Sequence, residues 1–287
     1  AGMEGFEYFR KESKKARIDI FLTAPSCVPA SSLGTSGAKI GIKEIRQMFE
    51  YDEVIALGEV MNFPAVINQD PEIMTKIQIA KEKGKIINGH APRLTKDNLK
   101  KYINAGITDD HESTSYDEMK EKLSLGMNIF IREGSTEKCP DKCYQLLNEY
   151  KDNIMFCSDD KLASDIIKNG HINFNVRKAV SLGINPVRAI RAASFNTAQY
   201  YKLDNIGTVE KGKKANLQIL NNLIDFIPEI VIFNGNIVYQ NGKTIPVETE
   251  LSIPQNILKT INVKKISTIP QIPSNYFNHI IDIEDGS

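Results

Sequence analysis

The chain has 287 residues, of which 41% are hydrophobic and 25% are charged, and this is enough for one large α/β domain and a smaller one. Its 36 basic residues balance its 36 acidic residues and are spread along the sequence, which argues against a nucleic-acid-binding or anionic-membrane-binding protein and favours a small neutral substrate. The sequence contains neither a run of about 18 apolar residues nor a signal peptide, so we expect a cytoplasmic protein that does not enter a membrane.

The first sixteen residues predict a helix that starts without an initiator methionine or a preceding strand, so we expect the chain to be part of a longer polypeptide. Four cysteines, Cys27, Cys139, Cys143 and Cys157, are too few for a disulfide scaffold in a chain of this length. We predict that all four are reduced thiols.

Six short apolar runs, separated by helical patterns, predict six parallel β/α units. The predicted strands are residues 17–24, 54–59, 85–90, 107–111, 127–132 and 153–159. Such a series is typical of either a doubly wound sheet or a (β/α)8 barrel. No G-x-G-x-x-G motif or P-loop follows any of these strands, which favours the barrel. The loop at residues 25–40 is long enough to be either a binding loop or a simple insertion.

The hydrophobic period changes near Gly207, after two further helical segments. Two β-rich runs follow, and Asn234-Gly235 and Asn241-Gly242 predict hairpin turns in the second run. We therefore predict a partial barrel over residues 1–204 and a small β domain over residues 205–250. Residues 251–287 are interpreted as an extended tail or the start of another domain.

The ends of the predicted strands carry a group of side chains of the types that bind metal ions. Because the carboxyl ends of consecutive parallel strands meet at one edge, these side chains are expected to lie close together. Imidazoles and carboxylates suit zinc, manganese or iron, and a bound metal would activate a water molecule as nucleophile. Each residue alone has an ordinary structural alternative, since charged residues at strand ends are commonly solvated. The set is Glu59, His90, His111, Arg132 with Glu133, and Asp159 with Asp160.

Several segments, in order, resemble those of the adenine deaminases of the amidohydrolase superfamily. The resemblance extends from residue 1 to about residue 243 and ends in a segment that recurs across amidohydrolases at the return to the small β domain. The segments include PSCVPA, LGEVMNFPAVINQDPE, GHAPRL, AGITDDHESTS, GMNIFIREGS, CSDD and GTVEKGKKANLQIL.

The resemblance implies an incomplete (β/α)8 TIM-type barrel, with strands three to eight visible, and a binuclear divalent metal centre that converts adenine to hypoxanthine and ammonia. Manganese or iron is expected, and zinc is possible. The implied metal ligands are Glu59, as a bridging carboxylate, His90, His111 and Asp159.

The resemblance also implies catalytic and substrate-binding residues. Asp159 would accept a proton from the attacking water, and Asp160 could exchange roles with it. Glu112 is the candidate for proton delivery to the purine or the departing amine, or alternatively orients His111. The candidate substrate-binding residues are Arg132, Glu133 and Ser135, with Ser26 and Asn62 as weaker candidates.

The sequence departs from the family pattern because it contains no His-x-His, the motif that amidohydrolases carry on their first strand. We expect the remainder of the chain's own polypeptide, or a complementing segment, to supply these ligands, and we expect a homo-oligomer. These 287 residues alone are therefore expected not to be a competent deaminase. Two alternatives stay open, namely another amidohydrolase acting on a cyclic amide or N-acetyl sugar, and a purine-binding fragment without catalytic activity.

Overall fold

Strands and helices alternate through the first two thirds of the chain in the computed structural model, which describes residues 1–31, 34, 36–246 and 253–258. The first six strands of the described residues are β1 (Leu22–Pro25), β2 (Val54–Val60), β3 (Ile86–Gly89), β4 (Asp109–Asp110), β5 (Asn128–Arg132) and β6 (Ile154–Cys157). They confirm the six strands predicted from the hydrophobic runs, although the first starts later than predicted and the fourth is only two residues long.

The six strands lie side by side in chain order. Strands β1, β2 and β3 are parallel neighbours, and so are β4, β5 and β6. The two groups meet where the Thr108 backbone N–H donates to the Ile87 carbonyl oxygen at 3.1 Å. Close by, the Gly89 backbone N–H donates to Asp109 Oδ1 at 2.8 Å. A backbone hydrogen bond and several bonds that involve the side chains of Asn88, Thr108 and Asp109 replace a ladder here, and the carboxyl ends of the six strands share one rim.

The described residues also form a series of helices. They are α1 (Gly2–Ser13), α2 (Ile42–Met48), α3 (Phe63–Ile67), α4 (Pro71–Glu82), α5 (Lys96–Asn104), α6 (Tyr116–Ser124), α7 (Leu146–Glu149), α8 (Ala163–Asn169), α9 (Ile172–Ser181), α10 (Pro186–Ala193), α11 (Phe195–Tyr200) and α12 (Gln255–Leu258), with a 3₁₀ helix at Asp141–Gln145. Local sequence explains the start of α4, where Asp70 accepts hydrogen bonds from two first-turn N–H groups and Pro71 takes the first helical position.

Two hydrophobic clusters hold these layers together. One packs α2, α4 and α5 against β1 to β3 and includes Leu57, Ile77 and Leu99. The other packs α6, α9 and α10 against β5 and β6 and includes Ile131 and Val176. Strands β1 to β3, β5 and β6 thus direct apolar side chains toward their helices, whereas β4 consists of two buried aspartates.

The strands predicted after Gly207 form a four-stranded antiparallel sheet. Its strands are β7 (Leu217–Leu220), β8 (Pro228–Phe233), β9 (Asn236–Gln240) and β10 (Lys243–Thr244), in the order β10-β9-β8-β7. Both predicted hairpin turns are present, with positive φ angles of 49° and 80° at Asn234-Gly235 and of 51° and 79° at Asn241-Gly242. Two successive positive φ angles match the right-handed twist of the flanking strands.

Three remaining predictions concern the cysteines, the tail and the membrane. All four cysteines are free thiols, as predicted. The predicted segment 251–287 lies outside the described residues except for 253–258, which contain α12. In the described parts of the chain, every helix is too short or too polar to cross a bilayer.

Candidate metal centre

One carboxylate and two imidazoles meet at the rim of the parallel strands. Glu59 lies one residue before the end of β2, and its Oε2 is 2.8 Å from His90 Nδ1 and 3.2 Å from His111 Nε2. His90 directly follows β3 and His111 directly follows β4. The register pairs Val60 with Gly89, and this brings the Glu59 and His90 side chains to the same level of the rim.

The contacts between these groups shift their proton affinities strongly. Hydrogen bonds from His111 and His90 hold the pKa of Glu59 far below its ordinary value, although burial opposes this. Burial opposes the charged form of His111 too, but its contacts with Glu112 and Glu59 outweigh burial and raise the pKa of His111 to about 10. The carboxylates around the two histidines thus favour a positive charge at this position.

Glu112 is the second acidic group of the rim and is only 8% exposed. Its Oε1 lies 3.3 Å from His111 Nε2 and 3.8 Å from His90 Nδ1, and both its oxygens accept hydrogen bonds from the Arg132 guanidinium. Burial raises the pKa of Glu112, but His111, His90 and Arg132 outweigh that effect and lower it. Glu112 thus contacts both histidines and one guanidinium.

Arg132 is 4% exposed and links three carboxylates, which follow β4, β5 and β6 in the chain. Besides Glu112, it donates to Asp159 Oδ2 at 2.6 Å and to Glu137. Asp159 lies two residues after β6 and has a positive φ of 44°, a strained conformation for a residue with a side chain. Arg132 therefore holds Glu112 and Asp159 on one side of the histidines.

The donors fit a divalent metal by type and spacing. The ligand atoms of Glu59, His90 and His111 lie within 4.8 Å of one another, and so do those of His111, Glu112 and Asp159. Two overlapping groups that share one histidine are consistent with two neighbouring ions, and the mixture of imidazole and carboxylate suits zinc, iron and manganese.

The two neighbouring aspartates, Asp159 and Asp160, have different surroundings. Asp159 faces Arg132 and His111, whereas Asp160 accepts hydrogen bonds from the backbone N–H groups of Ser135 and Thr136. Asp160 also packs against Gly134, where a Cβ atom would collide with its carboxylate. The structure thus favours Asp159 for the site and gives Asp160 the role of fixing the loop after β5.

The structure brings some of the predicted substrate-binding residues to the rim and not others. Successive residues of a strand face opposite sides, so Glu133 points away from Arg132 and accepts from Tyr144 at 2.8 Å and Lys178 at 2.7 Å. Ser135 lies in the rim loop, where its hydroxyl donates to Asp165 at 2.5 Å.

Ser26 and Asn62 both have local structural partners. The Ser26 hydroxyl donates to the Glu59 carbonyl oxygen at 2.6 Å, so it lies directly behind that carboxylate. Asn62 accepts from the Ala65 N–H at 3.2 Å and caps α3, as Asn commonly does. In the structure, Ser26 supports the site from behind and Asn62 serves the start of a helix.

A cavity of about 240 Å³ opens beside the cluster inside the arc of strands. Glu59, His111 and Asp159 line it at the rim. Deeper, Asp109 is fully buried, accepts from Asn88 Nδ2 at 2.7 Å and from the Tyr200 hydroxyl, and has its pKa raised to about 6 by burial. The lining residues are Thr23, Glu59, Asn88, Asp109, His111, Phe130, Phe156, Cys157, Asp159 and Tyr201.

Sequence reasoning missed three residues that contact the site residues or their backbone: Asp110, Lys122 and Glu137. Asp110 had a signal, since two consecutive acidic residues in a strand buried on both faces require partners. Lys122 and Glu137 had no such signal, because both are charged residues in segments whose sequence predicts exposure to solvent.

The family assignment follows from comparison of the whole sequence with known proteins. The sequence model of the amidohydrolase family matches residues 2–238. The chain belongs to the amidohydrolase family. Amidohydrolases generally use a divalent metal, which agrees with the donor set described above.

Curated relatives of this amidohydrolase include two proteins named adenine deaminase. The one from Clostridium acetobutylicum is 39% identical over 267 residues, which cover 93% of this chain and 47% of that protein. The one from Thermosipho africanus is 38% identical over 290 aligned positions, which cover 100% of this chain and 50% of that protein. The chain spans about half the length of the curated relatives it matches.

Solved structures show the fold of this amidohydrolase. The β-aspartyl dipeptidase of Fervidobacterium islandicum has a TM-score of 0.62 at 16% identity, with 87% of this chain and 73% of that chain covered. The N-acetyl-D-glucosamine-6-phosphate deacetylase of Mycobacterium smegmatis has a TM-score of 0.54 at 16% identity, with 70% and 60% covered. These likenesses confirm the predicted α/β fold of the TIM-barrel type.

Proposed function

We propose that this amidohydrolase catalyses the metal-dependent hydrolysis of adenine to hypoxanthine and ammonia. The observation that carries the proposal is the convergence of Glu59, His90 and His111 with Glu112 and Asp159 on one rim. The names of the relatives supply the substrate, since proteins named adenine deaminase match 85–100% of this chain at 35–39% identity. Because the chain spans about half of their length, the activity is proposed for the whole protein.

Four residues of this chain would hold the metals. Glu59, His90, His111 and Asp159 would be this chain's share of the ligands of a binuclear divalent centre. Manganese or iron is our first choice, and zinc also suits the donors. When bound, such a centre supplies Lewis acidity that brings the pKa of water toward neutrality.

The protons of the reaction can be assigned to two carboxylates. The reaction forms a bond between C6 of adenine and a water oxygen and breaks the bond from C6 to the amino nitrogen. Asp159 would take one proton from the attacking water. Glu112, which His111, His90 and Arg132 favour as a carboxylate, would take up the second proton of that water and deliver it to the ring or to the departing amine, which leaves as ammonia. Arg132 would keep both carboxylates in place because it donates to each of them.

The cavity beside the cluster is the proposed purine site. Its walls include the rings of Phe130 and Phe156, which offer apolar faces to a flat heterocycle, and the rim carries Ser135 as a polar group. A neutral base agrees with a chain whose basic and acidic residues are equal in number.

A substrate comparison tests this proposal. The whole protein, purified and reconstituted with manganese, should convert adenine to hypoxanthine and should leave dihydroorotate intact. The change in ultraviolet absorbance measures the conversion of adenine. Hydrolysis of dihydroorotate without any conversion of adenine would instead assign the site to a cyclic amide.

A further inference from the structure

One lysine is completely buried behind the candidate metal centre. Lys122 on α6 has an exposed side-chain fraction of 0%. Its Nζ donates to the Ala91 carbonyl oxygen at 2.7 Å, to Asp110 Oδ2 at 2.9 Å, to Ser113 Oγ at 3.0 Å and to Glu118 Oε1 at 2.7 Å. A lysine normally extends its ammonium group to water, so complete burial requires this compensation by acceptors.

Three of the four acceptors of Lys122 are sequence neighbours of the site residues. Ala91 directly follows His90, Asp110 directly precedes His111, and Ser113 directly follows Glu112. A single ammonium group therefore connects the loop after β3 with the loop after β4. These loops carry both histidines and the proposed proton donor.

Asp110 extends this connection to the backbone. Its Oδ1 accepts from the Ala91 N–H at 2.8 Å, and its Oδ2 accepts from the Glu112 N–H at 3.2 Å and from the Ser113 hydroxyl at 2.6 Å. Lys122 balances the negative charge of the buried Asp110 carboxylate, and both oxygens of that carboxylate accept hydrogen bonds. The position of the backbone at His90 and Glu112 thus depends on a charge pair that touches neither side chain.

Glu118 anchors the same two loops farther from the rim. It accepts from the Arg93 N–H at 2.7 Å and from the Thr114 N–H at 3.3 Å, while it pairs with Lys122. Asp110 and Glu118 therefore each bond to the segments after His90 and after Glu112. Lys122 is the cation that pairs with both acids.

We propose that Lys122 is a positioning residue for the metal centre, which sets the separation of His90 from His111 and Glu112 through Ala91, Asp110 and Ser113. This inference rests on the proposed function of the site. The competing role is a purely structural one, in which Lys122 neutralises Asp110 and Glu118 and stabilises the fold without affecting ligand geometry.

Three variants separate these roles. Lys122→Met removes the cation, and Lys122→Gln keeps a hydrogen-bond donor in place of the charge and covers the case in which the first variant does not fold. Lys120→Met is the matched control, since Lys120 lies on the same helix, is exposed and pairs with Glu149. The measurements are the Kd for manganese by titration calorimetry, kcat and KM for adenine at saturating manganese, and Tm.

A positioning role predicts a manganese Kd weakened by about 10- to 100-fold, as for other groups that orient metal ligands indirectly. It also predicts a lower kcat with little change in KM, and wild-type values for Lys120→Met. A folded Lys122→Gln protein with a lower Tm but unchanged manganese Kd and kcat would overturn the positioning role alone. A wild-type protein that neither binds manganese nor deaminates adenine would overturn the proposed function, and this inference with it.

Discussion

The Glu59 carboxylate lies 2.8 Å from Nδ1 of His90, although the two residues are 31 positions apart in the chain. They meet because β2 and β3 are parallel neighbours whose carboxyl ends coincide. The chain crosses between the strands through α3 and α4 and returns to the same rim. This single contact shows how consecutive β/α units place ligands from distant segments around one point.

Glu112→Gln tests the proposed proton transfer. The amide keeps the shape of the carboxylate but cannot deliver a proton, so kcat should fall by about 10²- to 10⁴-fold while bound manganese stays constant. Kinetics with adenine and elemental analysis of the same preparation provide the comparison. Glu149→Gln, at an exposed position on α7, should match the wild type. Loss of metal together with activity would instead assign Glu112 to orienting His111, and unchanged turnover would remove it from the mechanism.

Gly89→Ala tests the junction between β3 and β4. An added Cβ would collide with the carbonyl oxygen of Asp109 and approach the Ile107 side chain at 2.8 Å, so the strands would have to separate next to His90. We expect a loss of about 1–3 kcal/mol in the free energy of unfolding, the usual cost of overpacking, and weaker manganese binding. Urea denaturation and metal titration measure the two effects.

Gly34→Ala is the control for that substitution, because an added Cβ would meet its nearest atom, the Ser31 carbonyl oxygen, at an ordinary 3.6 Å. Equal stability of the two variants would contradict the close approach at Gly89.

Glu53→Gln tests the acid dependence of stability. The hydrogen bond from Lys14, aided by Arg10, outweighs burial and lowers the pKa of Glu53 to about 2. Because the pKa of Glu53 is lower in the folded state, its ionised carboxylate stabilises the protein at pH values above the unfolded-state pKa of about 4.5. This contribution disappears as the pH falls toward 2. At pH 7 the free energy of unfolding of wild type should therefore exceed that of Glu53→Gln by less than about 1 kcal/mol, because the ion pairs of Glu53 are partly exposed.

The stability difference between wild type and Glu53→Gln should shrink in urea titrations between pH 5 and pH 3. Glu82→Gln serves as control, since its carboxylate accepts from the neutral Gln78 amide. A difference that stayed constant with pH would exclude the ion pairs as its cause.

Much of the fold and the first candidate ligands could be predicted because they depend on local patterns. The apolar runs gave the six strands, and the chain direction put Glu59, His90 and His111 on one rim. The hairpin turns at Asn234 and Asn241 followed from turn chemistry alone.

The remaining contacts depend on tertiary packing, which local patterns do not encode. Lys122 has the sequence surroundings of an exposed helical lysine with Glu118 four residues before it, and only packing of α6 behind the β4 loop buries it. Glu133 was grouped with Arg132 because the two are adjacent, although the period of a strand places them on opposite sides. The ion pair between Arg132 and Glu137 depends on the turn of the loop after β5, which the sequence does not mark.

The most direct test of the account is the dependence of adenine hydrolysis on metal at this cluster. Hypoxanthine formation would be measured on purified protein before chelation, after chelation and after manganese is returned, in parallel for wild type and His111→Ala. We expect wild type to lose activity on chelation and to regain it with manganese, whereas His111→Ala should bind less manganese and stay inactive. Adenine hydrolysis that persists without metal, or an unaffected His111→Ala protein, would contradict it.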